Sequence, residues 1–248
     1  MTDNSPAREL VKKYFEQQSE LFGKDLYSKE ALNSLSLRKD DTIRNYKEND
    51  EDTLKISEQK MNYDAVTALD EFYESIKDCQ KCSLGKSRTK FVFGVGNPDA
   101  DIIFVGEAPG RDEDLKGEPF VGRAGQLLDK MLNSIGLNRN LVYIGNILKC
   151  RPPENRDPLP TERELCEPYL IRQIELIKPK LIVALGRIAA HTLMRTDQTL
   201  KILRESELNY HGTDFKVTYH PAALLRNPNL KYPAWEDLQE IRDKYLKK

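Results

Sequence analysis

Four cysteines spaced C-x2-C-x67-C-x15-C, namely Cys79, Cys82, Cys150 and Cys166, constrain this chain most, because no cysteine is left over. The N-terminus MTDNSPARELVKKYFEQQ has no apolar stretch behind a basic start, so it does not read as a secretory signal and a cytoplasmic location is expected. Disulfides are rare in that compartment, so the Cys79–Cys82 knuckle reads as a metal-binding or redox pair. Cys150 closes a strand-like segment and Cys166 falls in the next helical one, so two separate segments can converge on the knuckle. Four thiolates bind zinc or an iron–sulfur cubane. Zinc sites more often use two short knuckles, whereas one knuckle with two isolated cysteines suits the wider [4Fe–4S] cluster. Spacing alone favours the cluster and leaves zinc open.

With 248 residues the chain has room for one α/β domain of ordinary size plus an extension. No run approaches the roughly 18 apolar residues of a membrane span. The net charge of −1 conceals a division. Residues 1–74 carry 11 Lys+Arg against 17 Asp+Glu, and residues 75–248 carry 28 against 23, so the larger part is mildly basic. Leu10, Tyr14, Gln17 and Leu21 mark a helix over 7–22, and residues 34–60 are polar, charged and without apolar period. Residues 1–60 are therefore expected to be a helix and flexible linker, and 61–248 the folded domain.

Val66, Leu69, Phe72, Tyr73 and Ile76 predict a helix that delivers the chain to Cys79. Beyond it, apolar runs at 101–105, 141–148, 180–185 and 215–219 predict four strands. Helices are expected around 126–135, from a Thr161/Glu164 capping box to Pro179, and over 187–194 and 234–246. The expected architecture is a short, mainly parallel four-stranded sheet flanked by helices, with ligands gathering beyond the carboxyl ends of the strands. That places GEAPG (106–110), Asn146 and His220 along one edge of the sheet.

Phe120 sits in PFVGRAGQ (119–126), Asn146 opens NILKCRPPENR (146–156) and His220 opens HPAALLRN (220–227). As isolated residues they would read as a core aromatic, a turn residue and a satisfied histidine. Together with GEAPG and the ordered cysteines, these segments resemble the family 4, iron–sulfur branch of the uracil-DNA glycosylase superfamily, over roughly Cys79 to Arg226. The resemblance implies a three-layer α/β sandwich that flips uracil out of single- or double-stranded DNA and hydrolyses its glycosidic bond, initiating base excision repair. It implies a [4Fe–4S] cluster on Cys79, Cys82, Cys150 and Cys166 with a structural role, and a monomeric enzyme without membrane attachment.

The resemblance further implies that Ala108, Phe120, Asn146 and His220 hold uracil. Phe120 would stack on the base, Asn146 would read its edge, and His220 would stabilise charge on O2. In the better-known branch the turn carries a water-activating Asp where Ala108 stands here. Glu107 is then the first candidate to orient water or support the sugar cation, and Asn155 the second. Pro109, Arg111, Leu224, Leu225 and Arg226 are expected to touch DNA, the leucines as an apolar wedge. Arg123, Lys149, Arg151 and Arg156 are expected phosphate neighbours. A broad-specificity relative, a covalent uracil trap and a non-catalytic binding module are the competing readings.

Overall fold

The computed structural model describes residues 65–246. The expected 7–22 helix and 34–60 linker lie outside the described residues, as does the expected boundary between residues 60 and 61.

Helix α1, described over 65–76, leads to the cysteine knuckle and a short helix α2, Leu84–Ser87. The sheet follows as β1 (Val95–Gly96), β2 (Ile102–Gly106), β3 (Tyr143–Asn146), β4 (Leu181–Leu185), β5 (Leu208–Tyr210) and β6 (Thr213–Thr218). Helices α3 (Arg111–Lys116) and α4 (Arg123–Ser134) lie between β2 and β3 in sequence, and α5 (Pro160–Ile177) between β3 and β4. Next come α6 (Arg187–Met194) and α7 (Leu200–Glu205), then, after β6, α8 (Pro221–Arg226) and α9 (Lys231–Ile241).

Strand order is β1-β3-β2-β4-β6-β5. The four expected strands form the parallel centre, in which Gly106 is level with Asn146 and Leu185 with Thr218. The expectation of a four-stranded sheet is corrected to six mixed strands, because β1 and β5 add antiparallel edges. Two- and three-residue strands carry no alternating signal long enough to read. Such short edges also offer little backbone to a second chain.

The central strands are buried on both faces, as parallel strands under two helical layers must be. Ile103 and Val105 share a core with Leu170, Ile174 and Ile177 of α5 and with Ala189, Ala190 and Leu193 of α6. The alternate residues Ile102 and Phe104 are equally buried and point to the opposite layer. Helix α5 begins one residue earlier than its expected box. Glu162 accepts the Leu159 N–H at 2.9 Å and is chelated by Arg156, so Glu162 rather than Glu164 caps it. No helix among the described residues is long and apolar enough to cross a membrane.

Candidate active site

A cavity of about 600 Å³ opens at the carboxyl edge of the parallel strands, lined by Glu107, Ala108, Pro109, Phe120, Asn146, Asn155 and His220 among others. Residues at or just beyond the carboxyl ends of β2, β3, β4 and β6 reach it because the strands end level with one another. Asn146, the last residue of β3, is 2 % exposed, and its Oδ1 is a buried acceptor with no partner among the described residues. Gly106 leaves room for it. A Cβ at that position would stand 2.3 Å from Asn146 Oδ1 and 2.6 Å from the tip of the Phe120 ring.

Phe120 adopts φ +53°, a left-handed conformation that a bulky residue rarely takes. Its surroundings hold it there. Arg139 donates to the carbonyls of Pro119 and Phe120, and a Cβ on Gly125 would collide with the Phe120 carbonyl at 1.7 Å. Glu113 accepts the Val121 N–H at 2.9 Å and the Gly122 N–H at 3.1 Å through Oε1, and the Gly110 N–H at 3.1 Å through Oε2. One carboxylate thereby clasps the GEAPG turn to the loop that carries the ring.

The Phe120 and His220 rings are 5.5 Å apart. His220 Nδ1 accepts the Ala222 N–H at 3.1 Å, and burial, reinforced by Arg226, pushes the imidazole down to about 4 against the pull of Glu113. The ring is therefore neutral at pH 7 with its proton on Nε2, a donor. Gly186, at φ +90°, passes so close that a Cβ would meet His220 Cβ at 2.8 Å.

Burial pushes the Glu107 carboxyl up to about 7, with Asp157 adding to the rise while Arg163 and Arg187 oppose it. Asn155 lines the same cavity from a turn in which Glu154 and Asn155 both have positive φ, and its Oδ1 accepts from Arg151 at 2.7 Å. Leu224 is 1 % exposed and belongs to the core, whereas Leu225 is 41 % exposed. Arg111 and Arg226 are exposed; Pro109 is buried in the cavity wall. The expectation that Lys149 meets phosphate is overturned, because it is 0 % exposed.

The cysteines are all free and share one apolar cluster. Phe72, Tyr73 and Ile76 of α1 cover it together with Leu84, Phe91, Leu148 and Tyr169, and Ala108 links it to the cavity wall. Each donor near sulfur is an N–H or O–H. Tyr169 Oη donates to Cys79 Sγ at 3.1 Å, the Lys149 N–H to Cys166 Sγ at 3.3 Å, and Arg88 to Cys150 Sγ at 3.4 Å. Burial pushes both inner thiols up, Cys166 to about 12, so ionised sulfur there needs a cation. Among the described residues no group of three or more Cys, His, Asp or Glu is placed to hold a metal ion.

The motifs concealed four contributors. Glu113 lies three residues past Gly110, the spacing of a capping box, and was readable in principle. Arg139, Asp157 and Lys149 carry no sequence signal for their roles.

Residues 93–239 match the Uracil DNA glycosylase superfamily. A Type-4 uracil-DNA glycosylase of Archaeoglobus fulgidus is 50% identical over 184 residues, covering 71% of this chain and 92% of the relative. That of Sulfurisphaera tokodaii is 45% identical, covering 72% and 85%, and that of Saccharolobus solfataricus 42%, covering 71% and 85%. With its fold, cavity and ordered cysteines, this chain belongs to the type-4 uracil-DNA glycosylases of the uracil DNA glycosylase superfamily.

Proposed function

We propose that this chain removes uracil from DNA by hydrolysing its N-glycosidic bond, with Asn146 reading the base and His220 stabilising the departing anion. The partnerless Oδ1 of Asn146 carries this reading. A buried acceptor costs roughly 1–3 kcal/mol unless something donates to it. Uracil N3–H does, and the same amide's N–H₂ can donate to O4; cytosine presents the reverse pattern. The tip of the Phe120 ring and this amide both crowd Gly106, and the ring's face would stack on the base.

As the bond breaks, negative charge grows on the uracil and positive charge on the sugar. The neutral His220 ring aims an Nε2–H at developing charge on O2, and the low dielectric that keeps it neutral strengthens that bond. Glu107, ionised above about pH 7, supports the sugar cation or orients water, and Asn155 on the facing turn is the alternative water ligand. Leu225, exposed at the end of α8, is the residue available to fill the gap left in the duplex; Leu224 is committed to the core. Arg226, next to Leu225 and on the cavity rim, and the exposed Arg111 are the cations available to phosphate, and Ala108 and Pro109 line the pocket wall.

No described group is placed to hold a single metal ion, and the four free thiols, their N–H and O–H donors and their apolar sheath support instead the wider [4Fe–4S] cluster, held by Cys79, Cys82, Cys150 and Cys166. A tetrahedral zinc would draw the sulfurs to about 3.8 Å from one another. Bound, the cluster supplies a cross-link between 79–82 and 150–166. The chemistry at the base is left to the protein's own side chains.

The direct test incubates purified protein with oligonucleotides carrying one U, single-stranded or paired, beside T and C controls, followed by alkali. Scission at U alone is expected. A brown, folded protein that leaves both U substrates intact would remove the glycosylase reading.

A further inference from the structure

Lys149 has no exposed surface, and its ammonium meets no carboxylate among the described residues. Nζ donates to the Asn146 carbonyl at 2.8 Å and to Gln173 Oε1 at 2.6 Å. Gln173 in turn donates to Tyr143 Oη at 2.9 Å and to the Phe93 carbonyl at 3.0 Å. The same residue's main chain faces the other way, its N–H donating to Cys166 Sγ at 3.3 Å. Packing does not explain a cation here, because a methionine would fill the space without desolvating a charge.

The peptide between Asn146 and Ile147 does explain it. Its N–H donates to the Gly106 carbonyl at 3.0 Å, and its C=O accepts from Lys149. With both ends held, the peptide plane is fixed, and so is the Cα from which the Asn146 amide projects. Without Nζ the buried carbonyl would lose its partner, and the plane would be free to tilt about its remaining bond.

We propose that Lys149 is a positioning residue for uracil selection, linking the four-cysteine site to the base reader through its main-chain contact with Cys166 and its side-chain contact with Asn146. The inference rests on the reading of Asn146 and the cysteines given above. It concerns uracil affinity and base preference, and assigns Lys149 no contact with DNA.

The test compares wild-type and Lys149→Met holoenzymes. The main-chain bond to Cys166 survives the substitution, so visible cluster absorbance per chain is expected to persist. KM on a U oligonucleotide and Kd for free uracil are expected to rise about tenfold, with kcat less affected and U-over-C preference reduced. Lys149→Gln, which keeps an N–H donor one atom shorter, should recover part of the affinity. In an Asn146→Ala background Lys149→Met should add no further loss of uracil affinity, a non-additivity that general destabilisation would not produce.

Inactive wild-type protein would defeat the glycosylase reading. With wild type active, Lys149→Met matching it in uracil affinity and U-over-C preference overturns the inference alone. So does a loss of affinity that merely tracks lost cluster absorbance, or one that adds fully to Asn146→Ala. Should Lys149→Met fail to fold, Gln173→Leu decides on the same readouts, because it removes the second acceptor that keeps Nζ over Asn146. A weaker loss in the same direction supports the link, and unchanged affinity and preference overturn it.

Discussion

The role proposed for His220 rests on what its two nitrogens do separately: Nδ1 accepts from the Ala222 N–H, leaving Nε2 as the donor. His220→Ala should lower single-turnover kcat by about 10²–10³-fold while DNA affinity changes little, measured by rapid-quench cleavage beside a binding titration. Asn146→Asp should reduce U-over-C preference by about 10²-fold or more in paired oligonucleotide assays, since a carboxylate cannot offer the N–H₂ that uracil O4 requires. The role proposed for Glu107 carries a pH dependence. Its raised value means that kcat/KM should climb through an inflection near pH 7, and Glu107→Gln should abolish that inflection. The same shift bears on stability. Folding favours the protonated Glu107, so its contribution is complete below about pH 4.5 and is lost as pH rises through about 7. His220 acts oppositely, contributing above about pH 6.5 and losing that contribution as pH falls through about 4. That Phe120, Asn146 and His220 share one cavity was legible because each stands in a short motif at or beside a strand end. Lys149 was misread for the opposite reason. Its neighbour in sequence is a cysteine within a basic motif, and only the fold reveals that its side chain turns inward.

The four central strands were readable from runs of buried apolar residues, and their parallel order followed from the helices between them. The edges were not, because β1 and β5 are shorter than one full alternation. The α5 cap was misplaced by two residues for a related reason: Glu162 and Glu164 have the same local pattern, and only the partnership with Arg156 separates them. A second buried network joins α7, β6 and α9. Arg204 chelates Asp237 at 2.7 and 2.8 Å, Thr218 donates to that carboxylate at 2.6 Å, and the guanidinium lies over the Tyr219 ring. This network anchors the strand end immediately before His220. Asp237→Ala should destabilise the domain by about 3–5 kcal/mol in urea titration, because it strands the guanidinium among buried neighbours.

At the scale of the molecule, the cysteine site stands where α1, the knuckle and the turn after β3 meet beside the sheet. On the proposed reading, stripping the cluster by oxidation should abolish visible absorbance and lower Tm, with amide exchange accelerating first in 79–91 and 148–166, followed by mass spectrometry. The central strands should stay protected, since their core does not depend on the thiols. The charge division was legible in the sequence and matters here, because the acidic excess falls on residues 1–74 and leaves the catalytic domain compatible with a polyanion. The Glu113 clasp has a consequence for how the enzyme searches. The turn bearing Glu107 and the loop bearing Phe120 are tied together before any DNA arrives. An extruded base therefore meets a finished mould. On the proposed reading these two segments need not rearrange to meet it, and a normal base would be turned back by a shape already in place.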